Sequence, residues 1–283
     1  MNIYSRVLSS APHPFGFKED FLFPPLRLGP WGTLRRRLEW RKYYDFDILH
    51  SHSESQLPKY VLSHWRRKLI QHYHAAKVTG PLYSADVPSF ASVPTILRVI
   101  PGATWIPLPV ETDMFRPGSK VPHDTVHIGY CMQSIDPTKQ PFVPREEIDI
   151  ALKKMGAKAE AFPLQNIVPH ERMPGYYDQI DIWVDRIGLD FYGFAAIEAA
   201  AMGIPVITQI GENERAFVPS CPFVSVDRAD VTEAIISLAG DKPLRERLGM
   251  RAREYVTEVH DSIKAAKKCL DKYESIMEER ECP

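Results

Sequence analysis

Residues 180–208 constrain the fold more than any other stretch of the chain. The apolar run Ile180-Asp-Ile-Trp-Val184 leads into a loop containing Gly188 and Gly193, then an alanine-rich segment, Tyr192–Met202, and then Gly203-Ile-Pro-Val-Ile-Thr208. This order predicts a strand, a turn, a helix that stops at Gly203 and a second strand. Strands joined through a helix lie parallel, and a parallel sheet is covered by helices on both faces. The rest of the sequence repeats the alternation. Strands are expected at 2–7, 47–51, 68–74, 104–107, 126–131, 157–162, 180–184, 204–209 and 223–226. Helices are expected at 33–43, 145–155, 169–177, 192–202, 229–238, 242–257 and 261–278, which makes the chain α/β.

A chain of 283 residues has room for two domains of ~150 residues, each able to bury a core. Two prolines and a glycine in Arg116-Pro-Gly-Ser-Lys-Val-Pro122 mark a linker between apolar segments. Residues 1–115 and 116–260 are therefore expected as two Rossmann-like units facing across a cleft, with 261–283 a C-terminal helix that crosses back to the first. Ligands of open parallel sheets bind beyond the carboxyl ends of the strands, so each side of such a cleft holds one substrate. Two substrates imply a transfer reaction.

Other classes lack their signatures. No apolar run approaches the ~20 residues that span a bilayer. Cys131, Cys221, Cys269 and Cys282 show neither CxxC nor metal-ligand spacing and read as reduced thiols. Met1–Val7 lacks the basic and apolar regions of a secretory leader, so a cytoplasmic protein is expected. Ser–His–Asp order, a Walker loop and a dinucleotide GxGxxG are all missing, which removes the hydrolase, ATPase and dehydrogenase readings.

The net charge of -1 conceals +7 on residues 1–77 and -8 on the remainder. Arg35, Arg36, Arg37, Arg41 and Lys42, then Arg66, Arg67 and Lys68, alternate with Trp31, Trp40, Trp65, Tyr43 and Tyr44. One reading is a solvated helix face whose aromatics turn into the core. The other is a surface for a phosphorylated acceptor or an anionic membrane, where each cation contributes about 1 kcal/mol. A nucleic-acid partner is not expected, because the whole chain is near neutral and carries no nucleic-acid module.

Two strand ends carry histidines: His50-Ser-His52 and His72-Tyr-His74. They lack the acidic partner and the helical spacing of a zinc-enzyme motif, so no metal is expected there, and a hydrogen-bonding role at a strand end is the common outcome.

The chemistry concentrates around residue 190. A helix start offers free amides and a positive dipole end to a phosphate, and Gly193 would let the backbone approach a ligand closely. Asp190 before that helix and Glu198 within it can accept hydrogen bonds from hydroxyls at two ends of one extended ligand whose diphosphate lies between them. Glu198 sits among Ala195, Ala196, Ile197, Ala199, Ala200 and Ala201, and a buried acid in such company needs a partner.

Asp190 to Glu198 followed by Ala-Ala-Ala-Met-Gly-Ile-Pro-Val-Ile resembles the signature of family 4 retaining glycosyltransferases of the GT-B fold, commonly Glu, seven residues, Glu. Trp105-Ile-Pro-Leu-Pro-Val-Glu-Thr-Asp-Met-Phe-Arg-Pro117 is similar to that family's inter-domain crossover, and Pro169–Ile182 to the helix and strand before the signature. The resemblance covers residues 105 to about 280 and implies a GT-B fold with a trimmed N-terminal domain. It gives Asp190 the donor sugar and Glu198 the ribose of a nucleotide diphosphate sugar, with Gly193, Phe194 and Ala195 around the diphosphate. It also places Lys139 against the leaving diphosphate and His74 near the reacting sugar.

Departures from the family are specific. Asp190 is one methylene shorter than the usual Glu, Phe191 replaces a common Gly, and the Arg normally found near Lys139 is missing from Gly129–Gln140. The reading is a metal-independent retaining transferase that moves a hexose from a nucleotide diphosphate sugar to a glycan, lipid or small-molecule hydroxyl, with no cofactor. Arg35, Arg36 and Arg37 would form the acceptor or membrane surface. The alternative is a non-catalytic nucleotide-sugar-binding or scaffold protein on a degenerate GT-B fold.

Overall fold

The computed structural model describes residues 8–9, 21–22, 29–52, 57, 59–65, 68–74, 79–83, 87–118, 123–132, 143–165 and 168–281. They fall into two compact units, one within Met1–His72 and Leu82–Pro88, the other within Tyr73–Pro81 and Ser89–Pro283. The strand expected at 2–7 and the lysine at 139 lie outside the described residues.

In the first unit, β1 (Leu8–Ser9) pairs in parallel with β2 (Phe21–Leu22). Helix α1 (Gly29–Arg41) begins four residues before the expected start, because Pro30 is tolerated in a first turn whose N–H groups have no helical partner. Strand β3 (Leu49–Ser51), helix α2 (Lys59–Trp65) and β4 (Leu69–Tyr73) follow. β3 and β4 run parallel, with Leu49 opposite Leu69, His50 opposite Ile70 and Ser51 opposite Gln71. Every residue of β4 is buried, Gln71 and His72 included, as in a strand covered on both faces. Trp40 and Val61 form a small core with Tyr44, Phe46, Leu49 and Leu57 against them. Trp40 thus turns inward while Arg35 and Arg37 stay exposed on the same helix. The side chains of Trp31, Arg36 and Trp65, and residues 66–67, are outside the described set.

In the second unit, β5 (Ser89–Ala91) pairs in parallel with β6 (Thr104–Trp105), and a 3₁₀ helix, Pro94–Arg98, lies between them in sequence. The sequence reading misses β5, because three residues are too few to display a period. Five further strands, β7 (Val126–Cys131), β8 (Ala159–Leu164), β9 (Ile182–Val184), β10 (Val206–Thr208) and β11 (Val224–Ser225), form an all-parallel sheet in the order β11-β10-β9-β7-β8. The helices are α3 (Arg145–Met155), α4 (Met173–Tyr177), α5 (Phe194–Ala201), α6 (Glu212–Arg215), α7 (Val231–Gly240), α8 (Lys242–Val259) and α9 (Ser262–Glu281).

Side chains alternate across this sheet with the period of two that a strand imposes. Ile182, Val184 and Ile207 join one apolar cluster with Ile128, Ile148 and Ile235, whereas Trp183 and Val206 join the other with Tyr177, Ile197 and Val256. On the second face α8 lies against the end of α5: a Cβ on Gly249 would stand 2.0 Å from the carbonyl oxygen of Gly203. Only glycine permits that approach.

The segment before the sheet is tied to the far end of the sequence. Val110 N–H donates to the carbonyl of His260 (2.8 Å), and Ser262 N–H donates back to Val110 (2.9 Å). Arg253 donates to the carbonyls of Thr112 and Ala201, each at 2.9 Å, and also to that of Phe115. These bonds give partners to carbonyls of this segment and of the end of α5. On α9, Tyr273 brings its ring to 6.1 Å from Phe90 of β5, and Lys268 sits over the ring of Trp105 of β6 at 5.5 Å.

Candidate functional site

The site grows from the turn between β9 and α5. Asp185, buried at the end of β9, accepts a hydrogen bond from Gly193 N–H at 3.0 Å, which folds the intervening loop back on its strand. Gly193 is the N-cap of α5 and has no side chain to give the helix, so the first-turn amides carry no side-chain cap. Phe194 is half exposed there (51%), while Ala196, Ile197, Ala199, Ala200 and Ala201 are fully buried.

Gly193 differs from expectation in two respects. Its φ of −105° is extended backbone available to any residue, and a Cβ would stand 2.9 Å from the guanidinium end of Arg186 and 4.0 Å from Oδ2 of Asp185. Its N–H is already engaged by Asp185. The left-handed positions in the loop are instead Gly188 (φ 98°) and Asp190 (φ 57°), so Phe191 carries no such demand. Asp tolerates that conformation better than most residues.

Asp190 is half exposed, with Arg98 3.9 Å from its carboxylate. Arg98 also donates to Glu214 at 2.6 Å, and Glu214 is almost fully buried. Gly211 N–H donates to the carbonyl of Asp190 (2.9 Å). A Cβ on Gly211 would stand 2.3 Å from the Glu214 carboxylate and 3.2 Å from Cβ of Asp190, so that position has no room for a side chain. One arginine therefore bridges a buried and an exposed acid, beside a glycine that lets them close up.

Glu198 is largely enclosed (14% exposed) and has the partners that burial demands. Tyr177 Oη donates to Glu198 Oε2 at 2.8 Å, and His170 Nε2 lies 3.5 Å from Oε1. Burial above all, and then the neighbouring charge of Glu198, raise the Tyr177 pKa far above its ordinary value, so this hydroxyl stays a donor. The hydrogen bond to Glu198 raises the His170 pKa against the opposing effect of burial. Sequence reading assigns no role to His170, Tyr177, Arg98 or Glu214. The first two lie in Pro169–Ile182, the stretch already singled out, whereas Arg98 and Glu214 come from separate elements and leave no local signal.

Below this loop runs a buried polar chain. Tyr192 Oη lies 2.7 Å from Tyr255 Oη and 2.9 Å from Nε2 of His260, whose Nδ1 is 2.9 Å from the carbonyl of Leu108. The carbonyl can only accept, so His260 is protonated on Nδ1 and accepts from Tyr192 on Nε2. Burial lowers its pKa from 6.5 to about 4.

His74 is exposed, and its Nδ1 is 2.7 Å from Oγ of buried Ser92. His50, His52 and His72 converge in the first unit, with ring nitrogens all within 4.8 Å of one another. Strand register brings these three together, without the helical spacing and acid of a zinc-enzyme motif. No helix among the described residues is long and apolar enough to cross a membrane.

No protein-family model and no curated protein matches the chain. Solved structures do match over most of its length. A glycosyltransferase from Rickettsia africae is 16% identical with a TM-score of 0.63, over 90% of this chain and 84% of that one. HepE of Anabaena, solved in complex with UDP and glucose, is 11% identical with a TM-score of 0.63, over 90% and 85%. A sucrose-phosphate synthase from Thermosynechococcus elongatus is 18% identical with a TM-score of 0.59, over 90% and 81%. With the parallel sheets and their covering helices, these likenesses establish a two-domain Rossmann-like GT-B fold.

Proposed function

We propose that this protein is a retaining glycosyltransferase that moves a hexose from a nucleotide diphosphate sugar to a hydroxyl acceptor. The observation that carries the reading is the placement of Asp190 and Glu198 on either side of a helix start with no side-chain cap, on a fold shared with glycosyltransferases. Domain roles follow the sequence division, with 1–115 on the acceptor side and 116–260 on the donor side.

Glu198 accepts hydrogen bonds from the ribose hydroxyls, its carboxylate oriented by Tyr177 and His170. Asp190 contacts the donor sugar, while Phe194 and Ala195 turn their N–H groups to the diphosphate. Gly193 shapes that turn through its bond to Asp185. Lys139 opposes the charge that grows on the departing diphosphate, and His74, held by Ser92, approaches the reacting sugar. Catalysis then rests on orientation and on fixed charge, and neither needs a metal or a cofactor.

The test is calorimetric titration of nucleoside diphosphates and their sugars into wild type and Glu198→Ala. The wild type should bind one nucleotide class, and a folded Glu198→Ala chain should lose that affinity; equal affinities would overturn the site. Lys139→Ala should lower kcat as well as donor affinity, because its charge acts more strongly on the leaving group than on the bound donor.

Arg35, Arg36 and Arg37 form the acceptor or membrane surface in this reading. Vesicles containing anionic lipid should bind the protein at low salt and release it as salt rises, since such attraction is screened over ~10 Å at 0.1 M. Gln at all three positions should reduce that binding and leave nucleotide binding intact.

A further inference from the structure

We propose that His50, His52 and His72 form a binding site for one divalent transition-metal ion, of the Zn²⁺ class, at the carboxyl ends of β3 and β4. The argument begins with register. His50 lies opposite Ile70 in a parallel pair, so the next same-face pair along the strands is His52 and His72. Alternation then places His50, His52 and His72 on one face of the two strands. The rings meet accordingly: centroids are 4.2 Å apart for His50 and His52, 5.1 Å for His50 and His72, and 5.1 Å for His52 and His72.

The nitrogens are close to coordination spacing. Zinc binds imidazole nitrogen at about 2.0–2.1 Å, which sets tetrahedral ligand nitrogens roughly 3.3 Å apart. Nε2 of His50 and Nδ1 of His72 are 3.1 Å apart, and all three residues offer nitrogens within 4.8 Å. Closing the remaining gap takes a movement of His52, the exposed member of the three. His72 is almost fully buried and anchors the set from within the sheet.

Three neutral imidazoles suit Zn²⁺, Co²⁺, Ni²⁺ or Cu²⁺ and are poor ligands for Mg²⁺ or Ca²⁺, which prefer oxygen. Three protein ligands leave a fourth position for water or an outside ligand. Binding would cross-link the ends of β3 and β4 and replace the His50–His72 hydrogen bond, the donor ring's proton moving to its other nitrogen.

Co²⁺ titration of the full chain, followed by visible absorption, tests this directly. One Co²⁺ should bind per chain with the d–d bands of nitrogen ligation, Zn²⁺ should displace it, and Mg²⁺ should not. Either ion should raise the thermal midpoint. His50→Gln and His52→Gln should each abolish the bands, and His127→Gln should keep them. Among the described residues His127 stacks on His123 at 3.7 Å, apart from the three proposed ligands. Because His52 is exposed, its variant should match the metal-free wild type in circular dichroism and unfolding midpoint. Absent bands, bands that survive both variants, or bands lost with His127→Gln would overturn the site. A His52→Gln chain that fails to fold without metal would also count against it, since the rings would then be a packing cluster.

Discussion

The turn ahead of α5 and the paired ends of β3 and β4 both gather ionisable side chains beyond the carboxyl ends of parallel strands, but they hold them differently. Around α5 each acid meets a donor or a cation: Glu198 has Tyr177 and His170, and Arg98 lies between Asp190 and Glu214. At the ends of β3 and β4, three rings of one chemical kind face each other. Opposite charges can close a site without a ligand, whereas like imidazoles reach their strongest arrangement around a shared cation. The first region therefore suits a ligand rich in hydroxyls and phosphate, and the second a metal ion.

Glu198→Ala gives the largest expected effect. It should weaken nucleotide binding by about a hundredfold or more, because each hydrogen bond to a charged group contributes ~1.5–3 kcal/mol. Co²⁺ binding by the same variant should be unchanged. Loss of both, in a chain that folds, would mean that the two regions are not independent.

His260 supports the first region from beneath through Tyr192. Its folded pKa is lowered to about 4, so below pH 6.5 the unfolded chain takes up a proton that the folded chain refuses. Stability is complete above pH 6.5 and should fall by about 3 kcal/mol as pH drops towards 4. Urea unfolding midpoints across that range measure the effect; a flat profile would show that His260 is not held neutral.

Gly211→Ala should cost ~1–3 kcal/mol of stability, because the added carbon forces the Glu214 carboxylate, and with it Arg98, to move. Gly193→Ala should change stability by no more than ~0.5 kcal/mol, since its backbone is extended and only the end of Arg186 must shift. Parallel denaturation curves rank the two. The reverse order would make Gly193 the tight point of the loop.

The smallest effect concerns His170. Its folded pKa is raised, so its contribution to stability is present below about pH 6.5 and is lost as pH rises through the raised value. His170→Gln should remove that slope and leave Glu198 bonded to Tyr177 alone. Thermal midpoints between pH 6 and 8 would detect it, and an unchanged slope would assign the pH dependence elsewhere.

Much of this was legible from neighbours in the chain. The strand–turn–helix–strand order of residues 180–208, the placement of α3 at Arg145–Met155 and the need of Glu198 for a partner follow from local period and composition. A helix or strand of several residues writes its buried face into the sequence at a fixed spacing, and an acid among alanines declares its own desolvation cost.

What only the tertiary structure decided is which distant side chains meet. β5 is too short to show a period, and its neighbour β6 lies 13 residues beyond its end. Arg98 reaches Glu214 across 116 positions, and His260 reaches Leu108 across 152. His50, His52 and His72 share a face because β3 and β4 pair in one register, and a slip of one residue would send His72 to the opposite face. Register depends on the packing of whole strands, so sequence alone named these histidines and only the fold brought them together.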